Sequence, residues 1–85
     1  MKTIAYSKRA RMALSRMHAN EARRISGKMV QYAADPDSQA NNVRKLQGMD
    51  CYRLRVGDWR VIFREDGVII DVVRIAPRGQ AYEGL

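Results

Sequence analysis

Cysteine and histidine occur once each, as Cys51 and His18. One thiol closes no internal disulfide, and one residue of each kind builds no zinc-type ligand cluster. The expectation is no metal, no cofactor and no histidine-based triad. Proline occurs twice, at Pro36 and Pro77, and both read as terminators. No apolar run is longer than the three residues Val68-Ile69-Ile70, which is far short of a transmembrane helix. Met1-Lys2-Thr3-Ile4 carries no signal-peptide apolar core. Together with the lone thiol, this makes the cytoplasm the expected location, with no membrane partner.

Acidic residues are scarce where the chain begins. Residues 1–34 hold eight Lys/Arg against Glu21 alone, whereas residues 35–85 hold eight of each sign. The whole net charge of +7 therefore arises in the first part. Such a surplus suits nucleic acid, an acidic protein partner, or both. At 85 residues the chain is expected to be a single domain, 1–85, with one modest core.

The most informative stretch runs from Cys51 to Arg64. It alternates polar and apolar residues on both sides of Gly57-Asp58. Alternation predicts half-buried strands, and Gly followed by Asp suits a type II′ hairpin turn. Folding there sets Val56 opposite Trp59, Arg55 opposite Arg60, Leu54 opposite Val61, Arg53 opposite Ile62 and Tyr52 opposite Phe63. One face then holds Tyr52, Leu54, Val56, Trp59, Val61 and Phe63. The other carries Arg53, Arg55, Arg60 and Arg64. Like charges directly opposite each other destabilise a ladder. An anion docked on that face, most readily a phosphate backbone, accounts for the cost. Arginines also cover exposed sheet faces without any ligand.

The rest of the chain completes an architecture. Lys2 to Tyr6 reads as a strand, and Ser7 caps the following helix. Ala10, Ala13, Leu14 and Met17 recur at helical spacing. Asn20 reads as a second N-cap, with Ile25, Met29, Tyr32 and Ala33 on one face of a helix ending at Asp35-Pro36. Residues 37–42 read as a polar connector and 43–49 as a strand. Asp66-Gly67 suits a type I′ turn. Val68 to Ala76 is apolar on both faces, with Val68, Ile70 and Val72 against Ile69, Val73 and Ile75, which predicts a central strand. The order β-α-α-β-β-β-β defines an α+β fold. A two-helix hairpin packs on a mostly antiparallel sheet of four to five strands.

Lys45-Leu46-Gln47-Gly48, Cys51-Tyr52-Arg53-Leu54-Arg55, Trp59-Arg60-Val61-Ile62-Phe63, Val73-Arg74-Ile75-Ala76-Pro77-Arg78 and Tyr82 together resemble the RelE/ParE toxin superfamily. The resemblance spans nearly the whole chain. It implies a small cytoplasmic toxin of a type II toxin–antitoxin system, neutralised by a cognate antitoxin in a hetero-oligomer. RelE-like members cleave mRNA in the ribosomal A site, in contact with 16S rRNA, whereas ParE-like members inhibit DNA gyrase. Arg55, Arg60, Arg78 and Tyr82 match the catalytic positions of the RelE-like branch. Arg53, Arg64 and Lys45 are the expected RNA- or phosphate-binding residues. The expected function is a ribosome-dependent endoribonuclease acting without metal. The alternatives are a gyrase inhibitor or a degenerate homologue that still binds its antitoxin.

Metal-free cleavage makes the ribose 2′-OH attack the adjacent phosphate. It needs a base, positive charge on the pentacovalent phosphate, and an acid at the leaving oxygen. Arginines supply charge through forks that match phosphate oxygens, but they stay protonated. RelE-like strands often hold lysines where this chain has Arg53 and Arg55. That departure leaves the general base unassigned, with Tyr82 the titratable member of the set.

Overall fold

Ser7 starts the helical part of the chain. Its extended backbone and its hydroxyl, which accepts from the Ala10 N–H at 3.0 Å, form the N-cap. The same hydroxyl donates to the Val73 carbonyl at 3.0 Å, fixing the helix start to the sheet. The computed structural model describes residues 1–82. Strand β1 spans Thr3–Tyr6, helix α1 Lys8–Arg16 and helix α2 Ala19–Ala34. A 3-10 turn spans Pro36–Gln39, followed by β2 Val43–Lys45, β3 Tyr52–Val56, β4 Trp59–Glu65 and β5 Ile69–Pro77.

The five strands lie in the order β1-β5-β4-β3-β2. β1 runs parallel to β5, and every other neighbouring pair is antiparallel. β5 is interior, as its two apolar faces require. The helices cover one face. Ile25, Met29, Tyr32 and Ala33 of α2 and Ala10 of α1 pack with Leu54, Val56, Val61, Phe63, Ile70, Val72 and Ile75. Full burial of a side chain such as Phe63 or Ile25 contributes about 1.5–3 kcal/mol. Phe63 is the aromatic centre, with Tyr32 tilted at 5.1 Å and Tyr52 stacked at 5.6 Å between ring centroids. On the opposite face, Cys51, Ile62, Ala76 and Ala81 form a second small cluster.

Several expectations need correction. His18, not Asn20, is the N-cap residue of α2, and it makes no side-chain cap bond. The Asn20 side chain instead accepts from Arg23 one turn on. The strand expected over 43–49 stops at Lys45, because the chain turns there. The Leu46 N–H reaches the Cys51 carbonyl at 2.9 Å, and the Met49 N–H reaches that of Leu46. The polar connector contains the 3-10 turn, whose Gln39 is buried and bonds Gln31 at 2.9 Å.

The Asp66-Gly67 turn is not type I′, since Gly67 does not take a positive φ. The Asp66 carboxylate organises it instead, accepting the N–H groups of Val68 and Ile69 at 2.7 Å each. Ile75 was expected on the face of Ile69 and Val73. The β4–β5 register slips between Ile62 and Phe63, from Arg74 to Val72, so Val73 is an extra residue. That bulge inverts the alternation and turns Ile75 into the helix-covered core.

Candidate nucleic-acid interface

The β3–β4 hairpin pairs as its alternation dictates: Val56 with Trp59, Arg55 with Arg60, Leu54 with Val61, Arg53 with Ile62 and Tyr52 with Phe63. Gly57 has φ +59°, and no non-glycine residue among those described has a positive φ. Positive φ at the first turn residue alone defines type II′. Leu54, Val56, Val61 and Phe63 accordingly enter the main core, with Tyr52 and Trp59 packed against it.

The face away from the helices carries arginines in two cross-strand rows. One row runs Arg44, Arg53, Ile62, Arg74 across β2, β3, β4 and β5. The next runs Arg55, Arg60, Ala76. Nε of Arg53 and Nε of Arg74 are buried and have no hydrogen-bond partner among the described residues. Both flank Ile62. Arg74 is held by a bond from Nη2 to the Gln80 carbonyl at 2.8 Å.

Arg60 folds back on its own turn. Its Nη1 donates to the Gly57 carbonyl at 2.9 Å and to the Trp59 carbonyl at 3.0 Å. The Arg78 N–H donates to the Asp58 carbonyl at 2.7 Å, which ties the segment after β5 to the same turn. Arg55, Arg60 and Arg78 are thus gathered at the hairpin end of the sheet. Among the described residues the sole ion pair is Lys2–Glu65, at 2.7 Å. The arginine cluster therefore has no carboxylate within 4 Å among the described residues.

Beyond Pro77 the chain reverses. The Gln80 N–H bonds the Pro77 carbonyl at 3.0 Å, and Gly79 at φ +90° supplies the left-handed position of a type II turn. Ala81 is then buried completely against Cys51, Ile62 and Ala76. The tail thus lies on the arginine face rather than outside the sheet. Tyr82 follows with 46% of its surface exposed.

Two of the expected binding residues are not part of this gathering. Lys45 pairs with Tyr52, whose ring lies on the helix-covered side, so Lys45 shares that side. Its neighbour Arg44 occupies the arginine row instead. Arg64 lies on the arginine face but four residues along β4 from Arg60, roughly 13 Å at strand rise. It stands opposite Asp71. Cys51 first, and then Asp50 and Asp71, push its pKa above the ordinary guanidinium value. Arg44 and Arg74 escaped the sequence reading. Only the assembled register places them beside Arg53 and Ile62.

A concavity lies between α1 and the second half of β5. It has a volume of about 760 Å³ and is lined by Met12, Met17, Trp59 and Ile75, with Arg9 and Arg16. Arg74 borders it as well. β1 ends opposite Val72, so this part of β5 has no strand on its outer side. No helix is long and apolar enough to cross a membrane.

Two helices thus cover one face of a five-stranded α+β sheet whose other face carries the arginines. The chain is similar to the RelE toxin in a RelE–RelB complex from Pyrococcus horikoshii OT3, with 28% identity and a TM-score of 0.78 over 94% of this chain and 98% of that one. It is also similar in fold to the isolated RelE toxin of E. coli, with 18% identity and a TM-score of 0.76 over 96% and 89% of the two chains. The YoeB/ParE toxin from Agrobacterium tumefaciens matches at 15% identity and a TM-score of 0.73, over 92% and 99%. None of the curated proteins matches the sequence. Residues 4–82 match the family described as the ParE toxin of the type II toxin-antitoxin system, parDE. The chain belongs to that family, and so to the RelE/ParE superfamily of type II toxin–antitoxin toxins.

Proposed function

We propose that the chain is a RelE-like endoribonuclease that cleaves mRNA in the ribosomal A site. The observation that carries this reading is the convergence of Arg55, Arg60 and Arg78 at the hairpin end without a carboxylate partner among the described residues. Uncompensated guanidinium groups there suit the extra negative charge of a pentacovalent phosphate. In this reading Arg55 and Arg60 hold the scissile phosphate, and Arg53 the neighbouring backbone. Arg78 stands at the leaving oxygen. Tyr82, exposed beside them in the chain, stacks on a nucleotide or moves a proton. The ribosome supplies in-line positioning that one small basic face lacks.

A gyrase-inhibiting function is the second reading, and the match to the ParE family favours it. The arginine set also contains no side chain able to act as a base at neutral pH. Purified protein with programmed ribosomes, assayed beside a supercoiling reaction, separates the two. Cleavage of mRNA only with ribosomes present is the expected outcome. Equal cleavage of naked RNA removes the ribosome from the mechanism, and supercoiling arrest without cleavage replaces the endoribonuclease by the gyrase reading.

An antitoxin partner accompanies either reading. RelB is the partner in the complexes from Pyrococcus horikoshii OT3 and E. coli. For this chain the groove beside β5 suits a segment of mixed character. Met12, Met17 and Ile75 offer apolar contact, while Arg9 and Arg16 suit acidic side chains. Such segments gain order as they bind.

A further inference from the structure

The hairpin turn receives, beside that of Arg60, a second guanidinium that the reading above leaves unused. Arg24 belongs to α2, on the helix-covered side of the sheet. Its guanidinium reaches round the end of the sheet to Gly57. A Cβ built on Gly57 would lie 3.2 Å from Nη1, 3.3 Å from Nη2 and 3.4 Å from Cζ of Arg24. Gly57 is thus fixed twice over, by its left-handed φ of +59° and by the guanidinium packed against it.

Three arginines from three elements therefore meet one turn. Arg60 donates to the Gly57 carbonyl, Arg78 bonds the Asp58 carbonyl through its N–H, and Arg24 covers the Gly57 α-carbon. Arg24 has neither a hydrogen bond nor a carboxylate within 4 Å among the described residues, the Asp58 carboxylate included. Its side chain is exposed, so its donors face solvent. Bringing it beside Arg60 costs repulsion, and no carboxylate among the described residues lies within 4 Å to pair with it.

We propose that Arg24 forms a second phosphate subsite at the tip of the hairpin. The sugar–phosphate backbone leaves the arginine face of the sheet at Arg60 and Arg78 and continues round the turn onto α2. The ligand class is a single-stranded polynucleotide, contacted through one phosphate beyond those held by the sheet arginines. This subsite presupposes nucleic-acid binding by the sheet face. Arg24 shares the Gly57 turn with the guanidinium of Arg60, a member of the sheet's arginine face, which favours nucleic acid over an acidic protein segment.

The test uses the purified chain and a labelled single-stranded DNA oligonucleotide, which lacks the 2′-OH and is not cleaved. Affinity is measured by fluorescence anisotropy over a range of salt concentrations. Each phosphate contact contributes about 0.7 to the slope of log affinity against log salt for single strands. Arg24→Gln is expected to flatten the slope by about that amount, with an unchanged melting temperature. Arg24→Lys should restore the slope. Arg11→Gln removes an equally exposed α1 charge away from the turn and should change the slope much less.

Equal effects of Arg24→Gln and Arg11→Gln would overturn the subsite in favour of diffuse attraction. An unchanged slope in Arg24→Gln, with weakened binding of an antitoxin segment, would assign Arg24 to a protein partner and overturn it too. Wild-type protein that fails to bind the oligonucleotide would remove the nucleic-acid reading itself. Wild-type binding with no effect of Arg24→Gln would remove the subsite alone.

Discussion

Arg55 and Arg60 face each other directly across the β3–β4 ladder, and Arg60 turns its guanidinium back onto the Gly57 and Trp59 carbonyls. The opposed charges cost on the order of 0.2–1 kcal/mol. The carbonyl contacts, made at a partly exposed site, return a similar amount. Arg60→Gln removes both effects. Its stability is expected within about 1 kcal/mol of wild type, whereas mRNA cleavage on ribosomes should fall on the order of 10²-fold or more. Melting temperature and single-turnover rate, measured on the same preparation, check this. Arg60 has no carboxylate within 4 Å among the described residues. A large stability loss would therefore point to the turn contacts.

Ser7 joins α1 to β5 through two bonds from one hydroxyl. Ser7→Ala removes the N-cap and the Val73 bond together, about 1 kcal/mol each. For a domain of this size the melting temperature should drop by roughly 8–16 °C. Ser7→Thr should recover most of that loss. A drop of only a degree or two would mean that water replaces the hydroxyl at both positions.

Tyr32 donates its hydroxyl to Glu65, which also binds Lys2. Burial first, and the neighbouring Glu65 second, push the phenol pKa well above its ordinary value. A group raised on folding contributes stability that is complete below its unfolded pKa of about 10 and is lost as pH rises through the folded value. Tyr32→Phe should cost about 1.5–3 kcal/mol at neutral pH. The gap between wild type and variant in urea midpoint should narrow as pH rises above about 10. Burial of Tyr6 raises its pKa as well, so only the difference between the two curves reports Tyr32.

Asp66 has the opposite sign. The N–H groups of Ile69 and Val68 hold its carboxyl below the usual range. Its contribution is complete above an unfolded pKa of about 3.9 and is lost as pH falls through the lower folded value. Asp66→Asn keeps an acceptor for the turn without the titration. The variant should show a shallower fall in urea midpoint on the acid side. Parallel acid limbs for variant and wild type would place the titration in other carboxylates.

The hairpin was legible to the residue because two local signals agreed. Alternation set the faces, and Gly57-Asp58 set the register. Where only one signal existed, the reading drifted. The stretch after Val43 lacked a turn mark strong enough to end it, so the expected strand ran on past Lys45. The register of Lys45 with Tyr52 puts it on the helix-covered side, while Arg44 faces the arginine row beside Arg53. The bulge at Val73 has no local signature, yet it decides on which side Ile75 falls. Arg24 and Arg74 were invisible as site residues for a different reason. Each sits in an ordinary helix or strand pattern and reaches the interface only when α2 and β5 have packed.

The parallel pairing of β1 with β5 joins residues 66 positions apart, as in Thr3 with Ile69. β5, the strand that β1 and β4 both need, is also the last of the five to be synthesised. Long-range closure of this kind slows folding, because loop entropy is lost before its contacts form. A nascent chain through β4 already carries the arginine hairpin but has no strand for β1 or for the outer side of β4. Such a chain presents open backbone edges instead of a finished interface. Potency therefore arrives in one late step, when Ile69–Pro77 slots between two waiting strands.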